Sequence, residues 1–531
     1  MGFVRASACF AAVCAVALLC GCGSSLPTIP RRIGPPLQSI FEDEGLLHSD
    51  PPLALATFRA LGVDTVRVYV PWDKIAPDPS SAVRPDFDAS DPGAYPASGW
   101  TVYDEIVRDA AAAGLRLDLT VGSPPPLWAG GSGAPARSIY AAEWRPSALQ
   151  FGEFVHALGL RYSGHYVPTG ETQALPRVDF WSIWNEPNYG PYLAPQAIDH
   201  STIEVAPSLY RGLLDSAWTA LAETGHTPAR DTILIGETAP RGAERPGNFD
   251  GMLPLRFIRA LYCVNKSFRP LRGRAASLRA CPSTASGSAR FVAENPALFR
   301  ASGWADHPYP DALPPNVRTP PPLGDGWADF ASLGTLERTL DRSAAAYRQS
   351  PRLPLYSTEF GYMTNPPYAG GVTVATAALY LNQAEYLSWL NPRIRSYDQY
   401  LLTDPGPGSG SNFVTGIEFA NGKPKPDVYD AYRMPLFLPV THAAQGVALL
   451  VWGCVRPAPE TRARTGRTQR AAIQLASRYG APFRTIRTVV LSNPQGYFAV
   501  DVRFPSSGIV RLSWDGTGRE LHSRGQPISV S

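Results

Sequence analysis

Two glutamates, 173 positions apart, carry the chemistry that this sequence can do. Glu186 sits in "FWSIWNEPNYG" (180–190), where a run of apolar and aromatic residues stops abruptly on Asn185-Glu186-Pro187-Asn188. Glu359 sits in "PLYSTEFG" (354–361), where a second apolar run stops on Thr358-Glu359. A carboxyl group at the end of a buried segment is costly to desolvate unless it is used or paired. Two such groups facing one another can cleave an acetal. One gives a proton to the departing oxygen, and the other, ionised, attacks the carbon. Retention at a sugar anomeric carbon needs carboxyl groups about 5 to 5.5 Å apart. In that reading Glu186 is the acid and later the base, and Glu359 is the nucleophile.

Positioning two remote residues in this way needs a scaffold, and the sequence pattern supplies one. Eight extended segments alternate with helical stretches: around 38–44, then 65–72, 116–122, 179–187, 232–238, 301–309, 354–361 and 394–402. Such alternation over some 390 residues is the α/β pattern of a (β/α)8 TIM barrel, whose active sites lie at the C-terminal ends of the strands. "PPLALATFRALG" and "WTVYDEIVRDAAAAG" each end on a glycine suited to a helix C-cap. The eighth helix is weak, with "NGKPKPDVYDAYRMP" in its place. From 436 to 531 short strands with turn signals predict a small C-terminal β-sandwich that braces the barrel. The expected organisation is therefore residues 1–22 as a signal, 23–37 as a tether, 38–435 as the barrel and 436–531 as the sandwich.

Strand ends nominate the remaining candidates. Asn185 can bond a sugar 2-hydroxyl, while Tyr309 and Arg67 can hold Glu359 ionised, by hydrogen bond and by charge. His307 precedes Tyr309 at the end of strand 6. Trp72, Trp128 and Tyr189 can stack on sugar or pack loops, and Gln399 in strand 8, with Tyr397 and Tyr400, is a candidate substrate contact. Glu237 in "IGETAP" is a rival carboxylate or, preferably, a hydrogen-bonding support. Glu42-Asp43-Glu44 can bind hydroxyls or a cation, but reads first as a solvated loop. Insertions at 78–99, 129–145 and 264–300 suggest a walled, pocket-like cleft.

The composition narrows the partners. The chain has 531 residues, a formal charge of +3 and 18% charged residues, with basic residues spread along it, which points away from nucleic acid. Aromatic residues reach 11%, a richness that core packing and sugar-binding clefts both use. "MGFVRASACFAAVCAVALLCGC" has an early cation and an apolar run of signal-peptide length. Its end resembles a bacterial lipoprotein cleavage box with Cys22 as the lipidated residue, the alternative being an ordinary secretory signal. Lipid-anchored display on the outer face of the cell membrane is the expectation, with secretion if Cys22 is unmodified. Cys263 and Cys281 flank a basic insertion and are expected to form a disulfide in an oxidising compartment, while Cys454 reads as a small buried residue. No cysteine or histidine spacing suits zinc, and no metal or cofactor is expected. Oligomeric state is left open.

The pair "WNEPN" and "STEF", each closing a strand, resembles the signature of glycoside hydrolase clan A, whose acid/base and nucleophile end strands 4 and 7. "WNEPN" with "GSPPPLW" after strand 3 is most similar to family 39, and His307-Pro308-Tyr309 is similar to the His-x-Tyr motif of family 5. The resemblance covers roughly residues 36 to 435. It implies a retaining glycosidase acting on an oligo- or polysaccharide, either β-D-pyranosides or stereochemically equivalent α-L-arabinofuranosides. The chain departs from these families in two places. Strand 3 ends on Gly122-Ser123-Pro124 without the histidine usual in family 5, and strand 8 lacks the tryptophan many clan members place there. A carbohydrate-binding surface lipoprotein and a wall-remodelling transglycosylase are the competing functions.

Overall fold

The computed structural model describes residues 32–136, 138–199, 201–409, 413–516 and 518–531. The signal segment with Cys22, and most of the tether, lie outside the described residues. Eight parallel strands close into a barrel. They are β1 (Gln38–Glu42), β2 (Thr65–Pro71), β3 (Arg116–Gly122), β4 (Phe180–Ile183), β5 (Thr232–Thr238), β6 (Gly303–Asp306), β7 (Leu355–Ser357) and β8 (Ile394–Tyr400). β8 pairs with β1 from Gln38 opposite Ser396 to Glu42 opposite Tyr400, which seals the ring.

The helices that pack outside are α1 (Glu44–Ser49), α2 (Pro51–Leu61), α3 (Ala97–Ala113), α4 (Ala148–Arg161), α5 (Ala206–Glu223), α6 (Pro254–Leu261), α7 (Leu333–Ala345), α8 (Val374–Leu390) and α9 (Val428–Arg433). The short α9 occupies the place of the weak eighth helix. Local chemistry sets their ends. Asp50 accepts from Leu53 N at the start of α2, with prolines in its first turn. Gly62 and Gly114 end α2 and α3 in the left-handed conformation that an L side chain resists, as the sequence predicts. Trp72, Trp100, Phe154, Leu158, Tyr210 and Leu213 belong to one large core between strands and helices. Ile40, Phe180, Leu234 and Ala305, from four different strands, form a separate apolar cluster. Cys263 and Cys281 are joined by a disulfide, and Cys454 is buried with a free thiol.

The C-terminal region forms two antiparallel-rich sheets packed over their own core. One has the order β9 (Leu436–Phe437), β11 (Ala448–Cys454), β14 (Tyr497–Arg503). The other runs β10 (His442–Ala443), β17 (Gln526–Val530), β15 (Gly508–Trp514), β12 (Arg470–Ala476), β13 (Arg484–Val490), with β16 (Leu521–His522) beside β15. The unforeseen element is a helix at Ala458–Thr465, which begins with two prolines nearby and ends on left-handed Gly466. The sandwich docks on α8 and α9. Trp452 packs on Tyr386 and Trp389, Arg456 pairs with Glu385 at 2.6 Å, and Tyr497 donates to the same carboxylate at 2.6 Å.

Candidate active site

The barrel mouth holds a cavity of about 640 Å3. Its floor is a charged cluster that the strand alternation assembles, because successive side chains of a strand point to opposite faces. On β2, Arg67 and Tyr69 face inward. Arg67 is 1% exposed and reaches five groups. It donates to Thr120 Oγ1 (2.9 Å), Asn185 Oδ1 (2.8 Å), Glu359 Oε1 (2.8 Å), Glu237 Oε2 (3.2 Å) and the Glu42 carboxylate.

β4 stops at Ile183, and the chain then turns through two strained residues, Trp184 (φ 70°) and Glu186 (φ 40°). Such conformations persist only where the surroundings over-determine them. Here Glu186 N donates to Glu237 O (2.8 Å), itself at φ 46°. The Asn188 amide clamps the next loop, donating to Ala239 O and Met252 O (3.0 Å each) and accepting from Ala239 N (2.8 Å). This answers why "NEPN" follows a buried strand. Asn185 faces Arg67, Glu186 faces the cavity, and Asn188 ties the turn to the β5 loop.

Glu186 and Glu359 retain 15% and 12% exposure toward the cavity, and His307 lies buried between them. His307 Nδ1 is 3.0 Å from Glu186 Oε1 and 3.5 Å from Glu359 Oε2, and Nε2 is 2.8 Å from Glu237 Oε2. Oxygens of the two cavity glutamates approach within 4.8 Å. Tyr309 donates to Glu359 Oε2 at 3.0 Å. Glu359 therefore accepts from a guanidinium and a phenol.

The charges sort themselves by partner. Burial raises the Glu186 carboxyl above the usual carboxylate range, His307 opposes this, and Glu359 adds to it. Burial alone would lower the His307 imidazolium, but Glu359, Glu186 and Glu237 together hold it well above its ordinary value. Burial would raise Glu237, yet Arg67 and His307 outweigh it and keep that carboxyl low. Burial, with Glu359 and Glu44 adding, raises Glu42 against the pull of Arg67. Two cations, Arg67 and His307, thus sit among carboxyl groups of which Glu186 and Glu42 are disposed to be neutral.

Glu186, His307 and Glu359 also have the spacing to surround a cation. A metal would need a lone pair on the histidine nitrogen. His307 directs Nδ1 at Glu186 and Nε2 at Glu237, so hydrogen bonds within the trio and to Glu237 account for the grouping.

Not every candidate meets the cavity. Trp72 is fully buried and stacks on Phe154 (5.6 Å between centroids), because β2 ends at Pro71 and Trp72 begins a short turn of helix facing the outer layer. Trp128 packs edge-on against Trp72, and its indole donates to Pro77 O at 3.0 Å. Gln399 is the outward residue of β8, fully buried, and donates to Thr415 O (2.8 Å) and Tyr400 O (2.9 Å). These three brace loops and do not line the cavity, which corrects their expected contact with substrate. His307 likewise is fully buried and reaches the cavity only through the glutamates it bonds.

Glu237 is fully buried and bonded, so it supports the site. The acidic stretch is no solvated loop, as its three members do three jobs. Glu42 pairs with Arg67, Asp43 caps α1 and accepts from Leu402 N and Thr403 N, and Glu44 lines the cavity. Burial, with Glu359 and Asp43 adding, pushes the Glu44 carboxyl up to about 7. The cavity walls are Tyr189, Tyr192, Arg241, Tyr400 and Phe413 rather than the three insertions. The 129–145 insertion acts indirectly, bracing the Tyr192 loop through Arg145 N to Ala194 O at 2.7 Å. Tyr192 carries no signal in the sequence. Arg241 lies just past the end of β5 and was legible by the strand-end argument that found the others.

No protein-family model matches the chain, and no curated protein matches it in sequence. Among solved structures it is similar to a family 39 glycoside hydrolase from Bacteroides cellulosilyticus WH2, at 13% identity and a TM-score of 0.44, over 88% of this chain and 79% of that one. It is similar to a family 1 β-glucosidase from Thermotoga maritima at 16% identity and 0.44, over 72% and 85%. It is also similar to an endo-β-1,4-mannanase from Thermotoga petrophila at 12% and 0.38, over 95% and 99%.

Proposed function

We propose that the protein is a retaining glycoside hydrolase with Glu186 as acid/base and Glu359 as nucleophile. One observation carries the reading: two cavity-facing carboxyl groups approach within 4.8 Å across the barrel mouth, one disposed to hold its proton and the other held by Arg67 and Tyr309. That approach suits double displacement, since inverting enzymes leave about 6.5 to 9.5 Å for a water between their carboxyls.

In the first step Glu359 attacks the anomeric carbon as the glycosidic C–O bond breaks, and the proton of Glu186 passes to the leaving oxygen. The ester so formed has no charge at Glu359. Glu186, now ionised and no longer facing an anion, takes a proton from water as that water attacks the same carbon, and Glu359 leaves as a carboxylate. His307 and Glu237 hold Glu186 in place, and Asn185, fixed by Arg67, presents its amide nitrogen to the cavity as a donor for a sugar hydroxyl. The substrate we expect is a β-D-pyranoside or an α-L-arabinofuranoside. We place the activity outside the cytoplasm, on the strength of the signal-like residues 1–22 and their terminal Cys22.

The test is hydrolysis of a panel of aryl pyranosides and furanosides of both anomers, each beside Glu359→Gln. Turnover of one sugar that vanishes in the variant supports the assignment. Turnover that survives in it removes Glu359 from the mechanism.

A further inference from the structure

The β5–α6 loop, residues 239–253, has two sides. One carries Arg241, Gly242 and Gly251 to the wall of the barrel cavity. The other carries Glu244 to a second cleft of about 320 Å3, whose far wall is the disulfide-closed loop 263–281. Between its two cysteines that loop holds five cations, Lys266, Arg269, Arg272, Arg274 and Arg279, and no acidic residue. Like charges crowded in a short loop repel, and the cross-link holds them together.

Four cations line the cleft against two carboxylates. Glu204 is fully engaged, receiving Arg256 Nε at 2.7 Å and Arg279 Nε at 2.5 Å. Glu244 is mostly exposed and lies 3.3 Å from Arg256. Arg259 and Lys266 have no hydrogen bond or ion pair among the described residues. Arg259 stands in the last turn of α6, where the helix dipole favours a cation. The dipole supplies no hydrogen-bond acceptor, so the partly buried guanidinium faces the cleft without one. Burial lowers its pKa, and Glu244 and Glu204 offset this only in part while Arg256 adds to it.

We propose that this cleft binds an acidic group of a polysaccharide chain, a carboxylate, sulfate or phosphate, through Arg259 and Lys266. A guanidinium gives paired parallel donors to such groups, and an ammonium adds a point charge. The choice of a glycan rests on the glycosidase reading, because a single loop separates the cleft from the catalytic cavity and one chain can engage both. The anion site itself does not depend on turnover.

The experiment uses the full-length protein carrying Glu359→Gln, so that nothing is consumed. Binding is measured calorimetrically to polygalacturonate, dextran sulfate and neutral dextran, and to phosphatidylglycerol vesicles. The expected result is salt-sensitive binding to one or both acidic polymers and none to neutral dextran. Arg259→Ala with Lys266→Ala should weaken it about tenfold. Lys266→Ala alone, at an exposed position that cannot compromise folding, should weaken it by a smaller factor. Unchanged affinity in both variants overturns the proposal. So does binding to vesicles with neither polymer, or to no polymer at all. Failure of the aryl glycoside panel leaves these outcomes untouched, and failure here leaves the panel untouched.

Discussion

The protein buries two clusters made from nearly the same parts. At the barrel mouth Arg67 gathers Glu42, Glu237 and Glu359, with Tyr309 and His307 completing the bonds. Where the sandwich docks on the barrel, Arg456 meets Glu385 and Tyr497. The docking cluster is sealed, with Arg456 at 2% and Glu385 at 1% exposure, and one carboxylate answers one guanidinium. The mouth cluster has more carboxyl groups than cations, is open on one side through Glu186 and Glu359, and rests on strained backbone at Trp184, Glu186 and Glu237. A buried Arg–Glu pair is thus no mark of function by itself. A surplus of carboxyl groups, an opening and stored strain are what separate a site from a fastening.

The largest effect should come from the open cluster. Glu359→Gln removes the carboxylate we propose as nucleophile while keeping its shape, and kcat should fall roughly 10,000-fold or more. The thermal midpoint should change little, since the amide can still accept from Arg67 and Tyr309 and the position is open to the cavity. Steady-state kinetics and a melting curve together check this. A variant that loses activity only because it melts would make the mouth a second fastening and erase the contrast.

The sealed cluster should answer in the opposite way. Arg456→Met leaves Glu385 buried without its partner, which costs about 3–5 kcal/mol of stability. Below the new midpoint, kcat/KM on the same glycoside should match the parent. A loss of activity at temperatures where the variant is folded would mean that the sandwich shapes the site through α8 and β8.

Much of this was legible beforehand, for reasons that separate cleanly. The eight strands announced themselves because parallel barrel strands are apolar on both faces, and the glycines at 62 and 114 marked helix ends through a backbone requirement no other residue meets cheaply. Glu186, Glu359 and Tyr309 could be placed at the barrel mouth because a polar residue just past a strand end has few structural excuses, and Arg67 because a cation within an apolar strand needs a buried partner. Trp72, Trp128 and Gln399 were misplaced because facing is decided by a single residue of register and by where a strand stops, neither of which composition reveals. Glu42 was hidden in an acidic run that looked solvated, and its role depends on a partner 25 positions away on the next strand. Tyr192 stands on an irregular loop with no period to read.

A subtler probe of the open cluster is His307→Gln. The imidazolium touches Glu186 and lowers its pKa, so its loss should let that carboxyl rise further. The alkaline limb of kcat/KM should move to higher pH, with kcat down about 10- to 100-fold as Glu186 loses its anchor. Stability gives an independent sign. The folded pKa of His307 is raised, so its contribution is complete below its unfolded value near 6.5 and is lost as pH rises through the higher folded value. The parent should therefore lose thermal midpoint on the alkaline side, and the variant should lack that segment of the curve. An alkaline limb that stays put would reduce His307 to packing.

The smallest expected effect tests the boundary between fastening and site. Trp128→Phe deletes the bond from the indole to Pro77 O and keeps most of the packing against Trp72. Stability should drop by about 1 kcal/mol, the usual net worth of one hydrogen bond, and KM should not move. Tyr189→Ala, by contrast, strips a half-exposed ring from the cavity wall and should raise KM with little change in midpoint. Each aromatic lies within a few residues of a motif that resembles a glycosidase, so proximity in sequence cannot tell them apart. Only the KM and midpoint measured side by side can, and a Trp128→Phe variant with raised KM and unchanged stability would move the edge of the site outward to the β3 loop.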